Sequence, residues 1–378
     1  MIISFIIFQV VILGIIISNL ILIHMARSHS SPEVFPMVSI LVPARNEEQN
    51  IRKCIESLLK QDYPFYEILV VDDQSNDNTP VILKQMESID SRLKIISGEQ
   101  PPEDMAGKNW ACYQLARQAQ GNLFFFTDAD TVHAPQTLRL LVTALLGEQA
   151  DLLTGFPRQQ MVTWGERLLV PFFSWASLSF MPLLLAYRVH LSNLAYAVGQ
   201  VMLFRREAYQ EIGGHESLNH AIVDDILLSK ELQRAGLRWR VVSLSDLISS
   251  RMYHSWHEAL EGFTKNYFAA FNHRLFTFLF VYIWLLVLFG LPLIQLVLAY
   301  SGVLPSSNVG ELIVCTCLSI FLWFIPYREI KAPLFLTILY PITLLASEFV
   351  AFRSLFSSLK GDLRWKGRKL VSEKLTWR

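Results

Sequence analysis

An α/β fold with a mostly parallel sheet covered by helices on both faces, joined to transmembrane helices, is predicted by three observations. Short apolar runs alternate with amphipathic helix-length segments from residue 37 to residue 126, the order that builds a parallel sheet. Three of those apolar runs end in clusters of Asp, Asn and Glu, where ligands of open α/β sheets bind. Long uncharged runs also stand at both ends of a 378-residue chain that is 52% apolar, with a mean hydropathy of +0.34.

That length suggests two or three structural units. Lys plus Arg number 33, as do Asp plus Glu, so no basic surplus points to nucleic acid and none is expected as a partner. The four cysteines, Cys54, Cys112, Cys315 and Cys317, form no disulfide ladder and no CxxC pair. A reducing, cytosolic face is the simplest setting for them.

Residues 2–23 are apolar except for Ser4, Gln9, Ser18 and Asn19, and are long enough to span a bilayer. No basic n-region precedes the run and no small-residue cleavage site follows it, so residues 1–24 read as an uncleaved anchor rather than a signal peptide. Arg27 then places the next domain on the cytoplasmic side. Residues 25–36 read as a linker, with two prolines and three serines between 28 and 36. Within a domain at 37–253, strands are predicted at 38–42, 67–71, 93–96 and 122–126, and helices at 47–59, 78–86 and 107–118.

The strand at 122–126 delivers Thr127-Asp128-Ala129-Asp130 to its carboxyl end. On an extended backbone Asp128 and Asp130 point the same way, and a hard divalent cation takes one or two carboxylates plus a substrate's phosphates. The competing role for Asp130 is to cap a helix starting near Pro135. After the first strand come Pro43, Ala44, Arg45, Asn46 and Glu47; after the second come Asp72 and Asp73. Each is explicable as turn chemistry, yet all converge on one rim.

Six segments in order, LVPARNEEQNIRKCIESLLKQDYP, EILVVDDQSNDNT, GKNWACYQLA, FFTDADTVHAP, VGQVMLFRREAYQEIGG and DDILLSKELQRAG, resemble the successive signatures of family 2 glycosyltransferases with the GT-A fold. The resemblance implies that Pro43, Ala44 and Glu47 line the nucleotide and that Asp73 hydrogen-bonds its base. It implies Lys108 near the base or diphosphate, Asp128 at the ribose or metal, and Asp130 on a Mg2+ or Mn2+ ion bridging the diphosphate. Asp225 stands where the family has its general base, and Asp224 departs from the family by replacing Glu while keeping a carboxylate. As a structural alternative, Asp225 would cap a helix at 226–234.

The implied chemistry explains these residue types. Expelling a nucleoside diphosphate from an anomeric carbon builds negative charge on the leaving phosphate, which a cation stabilises. The attacking hydroxyl must lose a proton, so a carboxylate belongs on the opposite face of the sugar. One base opposite the leaving group means direct displacement with inversion, and no residue is identified as a nucleophile for a double displacement.

Residues 168–187 carry no charge and are interrupted by Pro171 and Pro182. A crossing there would separate Asp130 from Asp225, so the segment 164–190 reads as interfacial or re-entrant. Gln233 to Trp239 lacks the spacing of the QxxRW motif of processive synthases and reads as a helix ending at Gly236 before a strand at Leu237. Residues 254–275 read as an interfacial helix, with Arg251 and His254 either near the diphosphate or anchoring at the headgroups.

Apolar runs at 276–300, 312–327 and 332–352 follow. Ser301 to Glu311 has no Lys or Arg, as expected outside, whereas Arg328 and Lys331 favour the inside. The tail at 353–378 carries Arg353, Lys360, Arg364, Lys366, Arg368, Lys369, Lys374 and Arg378, also an inside pattern, although three crossings would leave it outside. Either one run is re-entrant, with Pro333 and Pro341 marking the last, or the tail is an exception. Its WKGRK segment reads as a subfamily feature or as a headgroup-binding patch.

The overall plan is most similar to carotenoid glycosyltransferases. The expected activity is transfer of one hexose, glucose from UDP-glucose, to a lipophilic acceptor in the membrane such as a hydroxylated carotenoid. Alternatives are a polyprenyl-phosphate sugar synthase, a transferase for diacylglycerol, ceramide or hopanoid lipids, and a non-catalytic scaffold that only binds sugar nucleotide. A polysaccharide synthase would need a true QxxRW and more crossings. Oligomeric state is not legible.

Overall fold

The computed structural model describes residues 2–103, 105–218, 222–365, 368 and 369. In chain order its elements are α1 (Ile2–Met25), β1 (Val38–Ala44), α2 (Ile51–Leu59), β2 (Tyr66–Asp72), α3 (Thr79–Glu87), β3 (Leu93–Ser97), α4 (Gly107–Gln118), β4 (Leu123–Phe126), β5 (Thr131–His133) and α5 (Thr137–Gly147). Then come β6 (Leu152–Gln159), α6 (Trp164–Phe180), α7 (Leu183–Arg188), β7 (Met202–Arg205), α8 (Arg206–Glu211), α9 (Asp224–Arg234) and β8 (Trp239–Ser250). The last are α10 (Trp256–Asn266), α11 (Leu275–Leu285), α12 (Leu291–Tyr300), α13 (Val309–Glu329), α14 (Tyr340–Lys360) and a two-strand ribbon, β9 (Arg364–Trp365) with β10 (Arg368–Lys369). Two compact units divide them: Ile21–Gln160 with Leu183–Met252, and Met1–Leu20 with Met161–Pro182 and Tyr253–Arg378.

The first unit is built on an eight-stranded mixed sheet of order β3-β2-β1-β4-β7-β6-β8-β5. Strands β1, β2, β3 and β4 run parallel, whereas β7 is antiparallel to both β4 and β6. β1, β2 and β4 are apolar along nearly their whole length because both faces are covered, as the sequence predicts. α2 supplies one cover: Ile51, Cys54, Ile55 and Leu58 recur at helical spacing and are all buried. The direction of strand succession reverses between β1 and β4, so the crevice at their carboxyl ends is the topological switch point.

The structure departs from the sequence reading at three places. Helix α2 starts at Ile51 rather than Glu47, and the loop ahead of it is pinned to the start of α3 and the loop before it: Glu47 N donates to Thr79 Oγ1 at 2.8 Å and Glu48 N to Asp77 Oδ2 at 3.1 Å. Asn46 and Gln74, with φ of 54° and 56°, turn those loops through the left-handed region. After β4 the backbone is not extended through Asp130; it turns at Ala129-Asp130, and Thr131 Oγ1 donates to Asp128 O at 2.7 Å. The turn feeds β5 rather than a helix. The helix near Pro135 is α5, preceded by Gln136, so Asp130 does not cap it.

Residues 28–37 have no regular structure but are pinned to this unit. His29 pairs with Glu148 at 2.8 Å, Tyr63 donates to Pro36 O at 2.6 Å, and Arg27 forks onto Asp246 at 2.9 and 3.0 Å. α9 ends as the sequence predicts: Gly236 adopts φ of 76° and Leu237 N donates to Leu232 O at 3.1 Å. Gln233 accepts from the indole N–H of buried Trp239, so both residues of the near-miss QxxRW serve the fold.

The second unit is helical. Among the described residues, four helices are long and apolar enough to cross a membrane: Ile2–Met25, Leu275–Tyr300 (α11 and α12 joined through a π-helical turn), Val309–Glu329 and Tyr340–Lys360. Ile3, Ile7, Phe276, Phe280, Phe349 and Phe356 leave apolar faces exposed. The polar interruptions of α1 are absorbed by packing. Gln9 donates to Ser319 Oγ at 2.8 Å and Asn19 to Leu178 O at 2.9 Å. Pro341 lies in the first turn of α14, where a missing N–H costs nothing, and does not break the helix.

The segment expected to be interfacial or re-entrant forms α6 and α7. α6 begins with a capping box between Thr163 and Glu166 and packs within the helical unit. Its fully buried Trp175 stacks on Trp323 with ring centroids 3.9 Å apart and donates its indole N–H to Leu322 O at 3.2 Å. Lys366, Lys374 and Arg378, and with Lys366 the centre of WKGRK, lie outside the described residues.

Candidate active site

The rim of the switch point gathers the residues that the sequence marks. Pro43 and Ala44 end β1 in register with Val71 and Asp72 of β2, and Asp73 N donates to Ala44 O at 2.8 Å. Asp73 is buried, and Arg45 closes over it, donating to Asp73 O at 2.6 Å and lying 3.9 Å from its carboxylate. Glu47 sits in the following loop, its carboxylate accepting from Asn50 Nδ2 at 2.9 Å.

Lys108, in the first turn of α4, ties the centre together. Its ammonium is 3.0 Å from Asp128 Oδ1 and 3.7 Å from Asp224 Oδ2, while 42% of its side chain stays accessible. Burial opposes its charge, but Asp128 and Asp224 outweigh burial and hold it well above the usual lysine range. Two buried thiols register the rest of the cluster. Cys112 lies in the field of Lys108, Asp224, Asp128 and Asp73. Cys54, raised to about 12 by burial, lies in the field of Asp130, Glu47 and Asp128. Asp130, Glu47 and Asp128 thus lie near Cys54, and Asp73, Asp128 and Asp224 near Cys112, so Asp128 is common to both groups.

Asp224 and Asp225 open α9, whose N-cap is Val223, so Asp225 is not the capping residue. Asp225 Oδ2 accepts from Gly199 N and Oδ1 from Ile226 N, each at 2.8 Å. A Cβ at Gly199 would stand 3.2 Å from Asp225 Oδ2, a tight contact that the carboxylate would have to yield to, and 3.6 Å from Lys108 Nζ, an ordinary one. The two acids are driven apart. Burial raises Asp224, but Lys108 and His215 outweigh it and hold Asp224 below the usual carboxylate range. Burial and the charge of Asp224 push Asp225 up to about 6, against Lys108 and its two backbone hydrogen bonds.

Sequence reasoning missed Gly199, the two thiols and the pair Tyr209–His215. The thiols carried no motif, and His215 lay in a GGHE run whose meaning depends on folding back six residues onto Tyr209. Gly213 and Gly214 make that fold possible with φ of 75° and 50°, and a Cβ on Gly214 would meet the Tyr209 ring at 2.4 Å.

No group of three or more His, Cys, Asp or Glu side chains arranged to hold a metal occurs among the described residues. The donor set is nonetheless all hard oxygen, and it suits a cation that takes one or two carboxylates and completes its shell from a bound diphosphate.

Known proteins are similar to this chain in fold and in sequence. A mannosyltransferase from Pyrobaculum calidifontis, solved with GDP-mannose and Mn2+, shares the fold at a TM-score of 0.50 and 16% identity, over 88% of this chain and 90% of that one. The 4,4'-diaponeurosporenoate glycosyltransferase of Staphylococcus haemolyticus is 25% identical over 240 residues, 62% of each chain. An Escherichia coli UDP-Glc:alpha-D-GlcNAc-diphosphoundecaprenol beta-1,3-glucosyltransferase is 33% identical over 119 residues, 32% of this chain and 45% of the relative. The chain spans 39%, 62% and 45% of the length of three curated relatives that it matches. The model of the family described as glycosyl transferase family 2 matches residues 39–213, ending before Asp224 and Asp225. With its GT-A-like sheet and its four membrane-length helices, the chain carries a family 2 glycosyltransferase domain.

Proposed function

We propose that this family 2 glycosyltransferase moves a single hexose, glucose from UDP-glucose, to a lipophilic acceptor such as a hydroxylated carotenoid, by direct displacement with inversion. The observation that carries this reading is the split acid pair: Asp225 is raised to about 6 beside an Asp224 that stays ionised against Lys108. A carboxylate poised near neutrality accepts the proton of an attacking hydroxyl more effectively than an ordinary one.

Pro43, Ala44, Glu47 and Asp73 bind the nucleotide in this reading, and Asp128 holds the ribose or assists with the metal. Lys108 sits at the diphosphate and keeps Asp128 and Asp224 in place. Mg2+ or Mn2+, held by Asp130, would supply positive charge to the departing diphosphate. No residue is assigned as a nucleophile, so the base acts on the acceptor directly. The acceptor class rests on two supports: the four membrane-length helices of the same chain, and relatives whose names carry carotenoid and polyprenyl-diphosphate acceptors. The sheet unit works at the cytoplasmic face, where nucleotide sugars are made.

Incubating membranes that contain the protein with labelled UDP-glucose tests the substrate class. Label in the organic-soluble fraction as a neutral, acid-stable lipid is expected. An acid-labile, charged product would replace the carotenoid-type acceptor with a polyprenyl phosphate, and label confined to water-soluble products would overturn the lipid reading.

A further inference from the structure

His215 is fully buried, and its ring sits against Phe126 with centroids 4.8 Å apart. Its backbone N–H donates to the Tyr209 hydroxyl at 3.0 Å, and its Nδ1 lies 2.9 Å from that same oxygen. A phenol has one proton to give. With an N–H already donating to its oxygen, the Tyr209 hydroxyl keeps its one proton for Nδ1. Nδ1 is then the acceptor, and the imidazole proton resides on Nε2.

Nε2 faces Asp224 Oδ2 at 3.6 Å, an ion-pair rather than a hydrogen-bond distance, and has no hydrogen-bond partner among the described residues. Lys108 reaches the same oxygen from another direction at 3.7 Å. Asp224 Oδ2 is thus held between a buried N–H dipole and an ammonium, with Asp225 next to it in sequence.

We infer that His215 is a positioning residue for the acid pair: its Nε2–H, fixed by Tyr209, anchors Asp224 Oδ2 against Lys108 and leaves proton acceptance to Asp225. The inference deepens the transferase reading and rests on it. His215 touches neither sugar nor nucleotide in this account, so its loss slows turnover without weakening donor binding.

Two amide side chains separate this role from mere packing. In His215→Gln the amide nitrogen falls near the place of Nε2 and still donates toward Asp224; in His215→Asn it falls near Nδ1 and reaches only Tyr209. With the full chain in lipid nanodiscs, His215→Asn is expected to lower kcat by about 10-fold or more while the KM for the sugar nucleotide stays within about 2-fold. His215→Gln should keep kcat within about 3-fold of wild type. Equal losses in the two variants, or a change confined to KM, would overturn the inference. Should either fail to fold, Tyr209→Phe decides: it keeps the ring but frees the tautomer, so an unchanged kcat would overturn the inference and a fall of about 3- to 10-fold would support it. An inactive wild type would overturn the transferase reading and this inference together, whereas an active wild type with matched Asn and Gln variants overturns the inference alone.

Discussion

The backbone N–H of Gly199 donates a 2.8 Å hydrogen bond to Oδ2 of Asp225, and a Cβ at Gly199 would stand 3.2 Å from that oxygen. Gly199 lies in the turn just before β7, the strand antiparallel to β4, and Asp225 lies in the first turn of α9. The contact therefore joins the antiparallel half of the sheet to the acid pair. It also leaves Asp225 partly stabilised as an anion, so that its carboxyl settles near neutrality rather than far above it.

Activity should fall with acidity through this group. Asp225 is raised to about 6, so below that pH it is protonated and cannot accept a proton. The profile of kcat/KM is expected to lose about tenfold per pH unit below an inflection near 6. An inflection near the ordinary carboxylate value would assign the base elsewhere.

The same shift has an opposite effect on stability. A carboxyl whose folded pKa is raised adds stability that is complete at low pH and disappears as pH rises through the folded value, here about 6. Above that pH the fold bears the cost of ionising Asp225 beside Asp224. Asp225→Asn should therefore melt higher than wild type at pH 8, by on the order of 1–3 kcal/mol, and the gain should vanish below pH about 4. Calorimetry at the two pH values checks both arms.

Lys108 serves two acids at once, so Lys108→Ala leaves Asp128 and Asp224 facing each other without a counter-charge. Loss of about 1–3 kcal/mol of stability is expected, less than for a fully enclosed pair because the side chain keeps 42% of its surface. Titration calorimetry should show weaker nucleotide binding as well. Lys108→Arg should restore charge but not full turnover, since a planar guanidinium cannot replace a point charge between two carboxylates.

Asp130→Ala is expected to abolish transfer and its response to Mg2+ or Mn2+ together. Full turnover of wild type in chelator would remove the metal from the account, and metal-stimulated turnover of the variant would move the ion to another residue.

In the helical unit, Trp175 is fully buried and stacked on Trp323. Trp175→Ala should cost about 3–5 kcal/mol, seen as a lower melting temperature in detergent.

Which parts were legible follows from where the information resides. Strands β1, β2 and β4 announce themselves because burial on both faces demands apolar runs, and the acids at their ends follow from the same pattern. The turn at Ala129-Asp130 was not legible, since it is set by Thr131 reaching back to Asp128 O rather than by any periodicity. The loop before α2 is equally invisible to periodicity, because Glu47 N and Glu48 N are held by Thr79 and Asp77, some 30 residues away. His215 carries no motif in the sequence. Only the return of the chain onto Tyr209 gives it a fixed tautomer and a direction. Likewise α6 has membrane-like composition, but its packing against Trp323 depends on residues far along the chain.

The most direct test compares wild type with Asp225→Asn in the same membranes, supplied with labelled UDP-glucose, while nucleotide binding is followed in parallel. Labelled lipid from wild type, a loss of about 10²- to 10⁴-fold in the variant and unchanged nucleotide binding in both are expected. Equal labelling of lipid by the two proteins would contradict the role of Asp225 as base, because the proton of the acceptor would then leave by a route that does not use Asp225.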